Sequence, residues 1–103
     1  MAQGGYNLYR REDPDTSRAA AQAILAQLPA LQQAVYAYAL MKGIHGFTDE
    51  EMLRWFMSHS STYRSRRSEL TRAGLIVDSG RRRLLPTRRH AIVWTIVPPE
   101  VTT

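Results

Sequence analysis

Apolar positions change their spacing along this chain, and each change marks an element. From Arg18 to Leu28 the alanine-rich sequence places Ala20, Ile24 and Leu28, flanked by Ala21, Ala23 and Leu25, on one side of a helix. Asp13-Pro14-Asp15-Thr16-Ser17 supplies its start, and Pro29 both stops it and opens the next helix. Residues 30–42 keep helical spacing at Leu31, Val35, Tyr38 and Met41, and Ala34, Ala37, Ala39 and Leu40 make the segment apolar on most sides. Such a helix is either central to a fold or used for association. Tyr36 and Tyr38 do not share one narrow face, so at least one is expected at the surface or against a second subunit. Gly43 ends the helix with a positive φ.

Ile44 to Phe47 is long enough for one small strand. Thr48-Asp49-Glu50-Glu51 then has the pattern of a capping box, in which the Thr48 hydroxyl accepts from the Glu51 amide and the Glu51 carboxylate accepts from the Thr48 amide. Met52, Leu53, Phe56 and Met57 form the expected buried side of a helix of about nine residues, broken by Ser58-His59-Ser60. Ser60 is a suitable N-cap for a further helix that runs to Ala73 and stops at Gly74. On that helix Tyr63 and Leu70 point back toward a core, and Ser61, Arg64, Ser65, Ser68 and Arg72 occupy the opposite side.

The period then becomes that of strands. Leu75-Ile76-Val77 reads as one strand, Asp78-Ser79-Gly80 as a turn, Arg81 to His90 as a basic loop containing Pro86, and Ala91 to Val97 as a second strand. The expected architecture is α+β, with about four helices and a C-terminal β-hairpin. Residues 1–12, without helical or alternating period, are expected as a flexible N-terminal arm, and residues 98–103, opening on Pro98-Pro99, as a disordered tail. With 103 residues the chain suits one domain, placed over 13–97.

Charge sharpens this outline. The net charge is +5, and residues 54–90 hold ten arginines against Glu69 and Asp78, a balance of +8, whereas the remainder carries −3. A concentrated basic segment beside a mildly acidic remainder points to a polyanionic partner. Thirteen of the fourteen basic residues are arginine, whose planar fork matches phosphate and guanine. Ser60, Ser61, Thr62, Arg64, Ser65 and Ser68 lie at the start or on the outer face of the 61–73 helix, where backbone amides are also free to meet phosphate. Arg81, Arg82, Arg83, Arg88 and Arg89 sit close enough to repel unless an anion is supplied, so they are expected on DNA backbone or in a minor groove. Four to six neutralised phosphates give a logarithmic salt slope of roughly −4 to −5. Arg67 lies about 40° from Tyr63 and about 60° from Leu70 in helical projection. It is therefore expected to be structural, paired with an acidic side chain such as Glu51 or Glu69, and not a base reader.

These residues resemble winged helix-turn-helix DNA-binding domains, and within them small phage and bacterial proteins related to MarR-type regulators. The resemblance covers roughly residues 13–97. It rests on Asp15-Thr16-Ser17-Arg18-Ala19-Ala20, on Gly46-Phe47-Thr48-Asp49-Glu50-Glu51, on Ser61 to Leu70 with Ala73-Gly74-Leu75, and on Asp78 to Arg82 with Ala91-Ile92-Val93-Trp94. It implies a recognition helix over 61–73 in the major groove and a wing over 78–90 on the backbone or minor groove. Tyr63 stands where a small aliphatic residue is usual, and the wing is denser in arginine.

The expected function is double-stranded DNA binding without catalysis, as a phage or bacterial transcriptional regulator or accessory factor. The alternative is a winged helix that docks on a transcription or replication enzyme, with Trp55 or Tyr36 as an anchor. The 30–42 helix is the candidate surface for a homodimer. Cysteine is absent, which removes thiol chemistry and cysteine–zinc sites, and His45, His59 and His90 have no ligand spacing. Asp49, Glu50 and Glu51 are accounted for by the helix start they occupy. No phosphate-binding glycine loop, cofactor motif, signal peptide or membrane span is present, and a cytoplasmic protein is expected.

Overall fold

The computed structural model describes residues 14–99, so the expected arm over 1–12 and residues 100–103 of the expected tail lie outside the described residues. The chain divides into two compact units. Helix α1, Pro14–Ala26, belongs to the first, and Pro29–Val97 forms the second. On α1, Ala21 is buried while Ala23, expected on the apolar face, is exposed.

The second unit is built on α2, Ala30–Lys42, with Pro29 at its N-cap and Gly43 at its C-cap. Val35, Tyr36, Tyr38 and Ala39 are all buried. Both tyrosines therefore point inward, against the expectation that one would reach the surface. At about 100° per residue the four positions span an arc of roughly 160°. That arc is covered because α2 meets a helix, a strand and a turn at once: α4 (Thr62–Arg72), β2 (His90–Ile96) and the 3₁₀ turn Gly43–His45.

That 3₁₀ turn replaces most of the small strand expected over 44–47. Only Phe47 pairs, through a two-bond bridge with Trp94: Phe47 N donates to Trp94 O at 2.9 Å and Trp94 N to Phe47 O at 2.7 Å. Gly46 turns the chain into this bridge with φ +75°. The carbonyls of Ile44 and His45 accept from arginine side chains instead of a neighbouring strand.

Helix α3, Asp49–Trp55, starts on the expected capping box, with both reciprocal bonds at 3.1 Å. It ends earlier than expected. Met52 is fully buried, but Met57 lies past the helix end at φ +53° and is 90% exposed, so it leaves the expected buried side. Phe56 stacks on Tyr63 of α4, with ring centroids 4.2 Å apart and planes within 6°. Tyr38 packs against Phe47 and Phe56, which locks α2, α3 and α4 around one aromatic cluster.

The hairpin differs from its expected form. Strand β1 runs from Ile76 to Leu84 and pairs antiparallel with β2. Asp78-Ser79-Gly80 is not the hairpin turn but opens a bulge inside β1: Asp78 pairs with Trp94 and Arg82 with Ile92, so Ser79, Gly80 and Arg81 oppose Val93 alone. Asp78 Oδ1 accepts from Gly80 N and Ser79 Oγ from Arg81 N, two local turns that spend the extra residues. Arg81, Arg82 and Arg83 consequently lie on a strand. The loop is confined to Leu85–Arg89 and closed by Leu85 N to Arg89 O and Arg88 N to Leu85 O, both 2.8 Å, with Arg88 at φ +71°.

The described residues thus form an α+β structure with four helices and a two-stranded antiparallel C-terminal hairpin. Among them no helix is long and apolar enough to cross a membrane.

Candidate nucleic-acid interface

Helix α4 carries two faces of different character. Toward the interior, Leu70 is buried and Arg67 is only 9% exposed. Arg67 donates to both oxygens of Asp49, from Nε and Nη2, at 2.8 Å each. Its guanidinium carbon also lies 3.8 Å from the centre of the Trp94 ring. The expectation of a structural arginine therefore stands, but its partner is Asp49 and not Glu51 or Glu69. Glu69 instead takes Arg66 and accepts from Gln32 of α2 at 2.8 Å.

On the outer face Ser61, Arg64, Ser65 and Arg72 are exposed and Ser68 is half-buried. The helix start is capped one residue ahead of its formal boundary. Ser60 Oγ accepts from Thr62 N at 3.1 Å and donates to Thr62 Oγ1 at 2.9 Å, leaving those two hydroxyls engaged with each other. Ser68 accepts from Arg72 at 3.1 Å. Among the described residues Arg64 makes only a long ionic contact, Nε to Asp49 Oδ2 at 3.8 Å.

The five wing arginines separate into two sets. Arg83 donates to Glu51 at 2.6 and 2.7 Å and to the His45 carbonyl at 3.1 Å. Arg81 donates to the carbonyls of Ile44 and His45, and Arg82 pairs with Asp78 at 3.1 Å. Arg82 and Arg83 thus have carboxylate partners inside the chain, against the expectation that all five await an external anion, whereas Arg81 meets only neutral carbonyls and keeps its charge uncompensated. Because β1 continues through the bulge, the side chains of these three face the 3₁₀ turn, the start of α3 and Asp78. Arg88 and Arg89, at the loop, are exposed and have no partner among the described residues.

Helix and loop converge on one cleft of about 380 Å³. Arg64 and Arg67 of α4, Thr87 and Arg89 of the loop, Asp49 and Glu50 of α3, and Trp94 line it. Arg64 and Arg89 thus share a site although 25 positions separate them. Trp94, Asp49 and Thr87 belong to the site without having been singled out for it. Arg67's angular position on α4 was the one available signal that it faced inward, and nothing local pairs it with a residue 18 positions away.

Glu51 carries a double duty as cap and as partner of Arg83. Burial works to raise its pKa, but the hydrogen bond from Arg83, the Thr48 amide and the charges of Arg83 and Lys42 outweigh that and hold it below its ordinary 4.5. A carboxyl whose pKa is lower in the folded chain stabilises fully above the unfolded value and loses that contribution as pH falls through the folded one. Thermal stability is therefore expected to fall as the pH drops below the ordinary 4.5 of a glutamate, with a smaller fall in Glu51→Gln, read by melting curves across an acid series.

Among the described residues no group of three His, Cys, Asp or Glu is placed to hold a metal ion. No protein-family model, curated protein or solved structure matches this chain.

Proposed function

We propose that this chain binds double-stranded DNA as a winged helix-turn-helix protein, with α4 in the major groove and the 85–89 loop on the adjacent backbone, in the service of transcription control. The observation that carries the reading is the convergence of Arg64 and Arg89 on one exposed cleft while neighbouring arginines are satisfied internally. Arg89 has no counter-ion among the described residues and Arg64 has only the long ionic contact with Asp49; such cations, on a helix face and a loop that open to the same cleft, suit a phosphate-lined groove. Asp49 and Glu50 of the α3 start line the same cleft and disfavour phosphate beside them, which supports backbone contact at the loop side of the cleft. With Arg82 and Arg83 paired to carboxylates, about three to four phosphates remain to be neutralised, and the expected logarithmic salt slope is roughly −3.

Fluorescence anisotropy with duplex DNA across a salt series tests this. Arg88→Ala/Arg89→Ala is expected to weaken binding about tenfold or more at low salt and to flatten the slope by nearly 2, with melting temperature unchanged. Arg82→Ala should leave both nearly unchanged. Binding indifferent to Arg88 and Arg89 would reject the interface.

One observation supports a second reading, docking on a protein. Trp55, at 58% exposure beside Tyr38, and Met57 present apolar surface outside the core. Such anchors dominate protein interfaces. Under that reading Trp55→Ala, and not the loop arginines, abolishes the interaction.

A further inference from the structure

We propose that Asp49 positions Arg64 to read a guanine, so that the chain prefers duplexes with a G·C pair at one fixed place in its site. The inference rests on the DNA-binding reading above and deepens it. Arg64 is in the first turn of α4, the part of a recognition helix that meets base edges. Its side chain is 52% exposed, and its Nε lies 3.8 Å from Asp49 Oδ2, an ionic contact too long for a hydrogen bond. Its remaining amino groups have no acceptor among the described residues.

Asp49 cannot follow Arg64 outward. Both of its oxygens are taken by Arg67 at 2.8 Å, and the Arg67 guanidinium lies over the Trp94 ring. The carboxylate is therefore a fixed negative point at the base of the Arg64 side chain. It limits the arginine's swing and holds its fork in one orientation, which favours a planar partner of fixed position. A neutral pair of adjacent acceptors is such a partner. In the major groove guanine offers one through O6 and N7, whereas adenine replaces O6 with a donor that opposes an arginine N–H. Arg67, Asp49 and Arg64 thus form a chain in which only the last member touches DNA. Asp49 is a positioning residue.

The test is selection of the full chain on duplexes of randomised sequence, followed by anisotropy on the selected duplex and on the same duplex with its fixed G·C changed to A·T. Wild type is expected to lose about tenfold in affinity on that change. Arg64→Lys, which cannot form the bidentate pair, should reduce the discrimination to about twofold while keeping affinity for unselected duplexes. Asp49→Asn should also lose discrimination yet bind unselected duplexes about twofold tighter, since a negative charge leaves the interface. Because Asp49→Asn also breaks the pair with Arg67, its melting temperature is expected to fall in either case and binding is read well below it; a purely structural role for Asp49 would lower the affinities for selected and unselected duplexes alike. Discrimination that survives Arg64→Lys, or a selected site without a fixed guanine, overturns the proposal. Salt-sensitive binding equal on all duplexes overturns it alone, and no binding to any duplex overturns the DNA-binding reading as well.

Discussion

Gly46→Ala is expected to destabilise the chain by about 3 kcal/mol or more, enough to lower the melting temperature by roughly 12 °C or more. Two costs combine at this residue. Its φ is +75° with an extended ψ of −174°, a region that is essentially restricted to glycine. A Cβ built there would also sit 2.6 Å from Val93 Cγ1 and 2.7 Å from the Trp94 carbonyl oxygen. Val93 is 2% exposed, and the Trp94 oxygen is held by Phe47 N, so neither yields cheaply. Relief would require opening the Phe47–Trp94 bridge, which ties the start of α3 to β2. Gly80 makes the control. It also has positive φ, +86°, but a Cβ there meets nothing within 4 Å, so Gly80→Ala should cost only the backbone strain, about 1 kcal/mol. Thermal or urea unfolding of the two variants measures the difference, and equal losses would mean that the contact with β2 is not what makes Gly46 necessary.

Arg67→Ala is the second large effect, with an expected loss of about 3 kcal/mol. The pair it breaks is bidentate, and its side chains are 11% and 22% exposed, so solvent screens it far less than a surface ion pair. Removal leaves the Asp49 carboxylate partly buried without its counter-charge and strips the guanidinium from the face of Trp94. Asp49→Ala/Arg67→Ala should recover part of the loss, because the orphaned charge is gone. A double-mutant cycle is expected to give a coupling of about 1–3 kcal/mol, and additive losses would show that the two residues act separately. Arg82→Ala offers the contrast: Arg82 and Asp78 are 45% and 40% exposed, and a pair so wet contributes at most a few tenths of a kcal/mol.

The sequence made the helical scaffold legible because its signals are local. The Thr48–Glu51 capping box spans four consecutive residues, Ser60 caps α4 through an amide two positions on, and Pro29 and Gly43 bound α2. The inward side of Arg67 followed from its angle to Tyr63 and Leu70. Where sequence reading failed, a local pattern was overruled from a distance. Asp78-Ser79-Gly80 has the composition of a hairpin turn, but β2 offers partners to the residues on both sides of it, so it opens a bulge and the turn moves to Leu85–Arg89. Tyr36 and Tyr38 could both be buried because three elements surround α2.

The same division runs through the candidate site. The chain's composition by itself determined that a basic, serine-rich helix would be followed by a basic hairpin, since charge and helical period depend only on residue order. Which arginines remain available was decided by tertiary structure alone. Arg67 is neutralised by Asp49 and Arg83 by Glu51, pairs 18 and 32 positions apart, while Arg64, Arg88 and Arg89 are left to the outside. Partnership between charges depends on distance in space, and a guanidinium is satisfied by whichever carboxylate the packed core brings within reach.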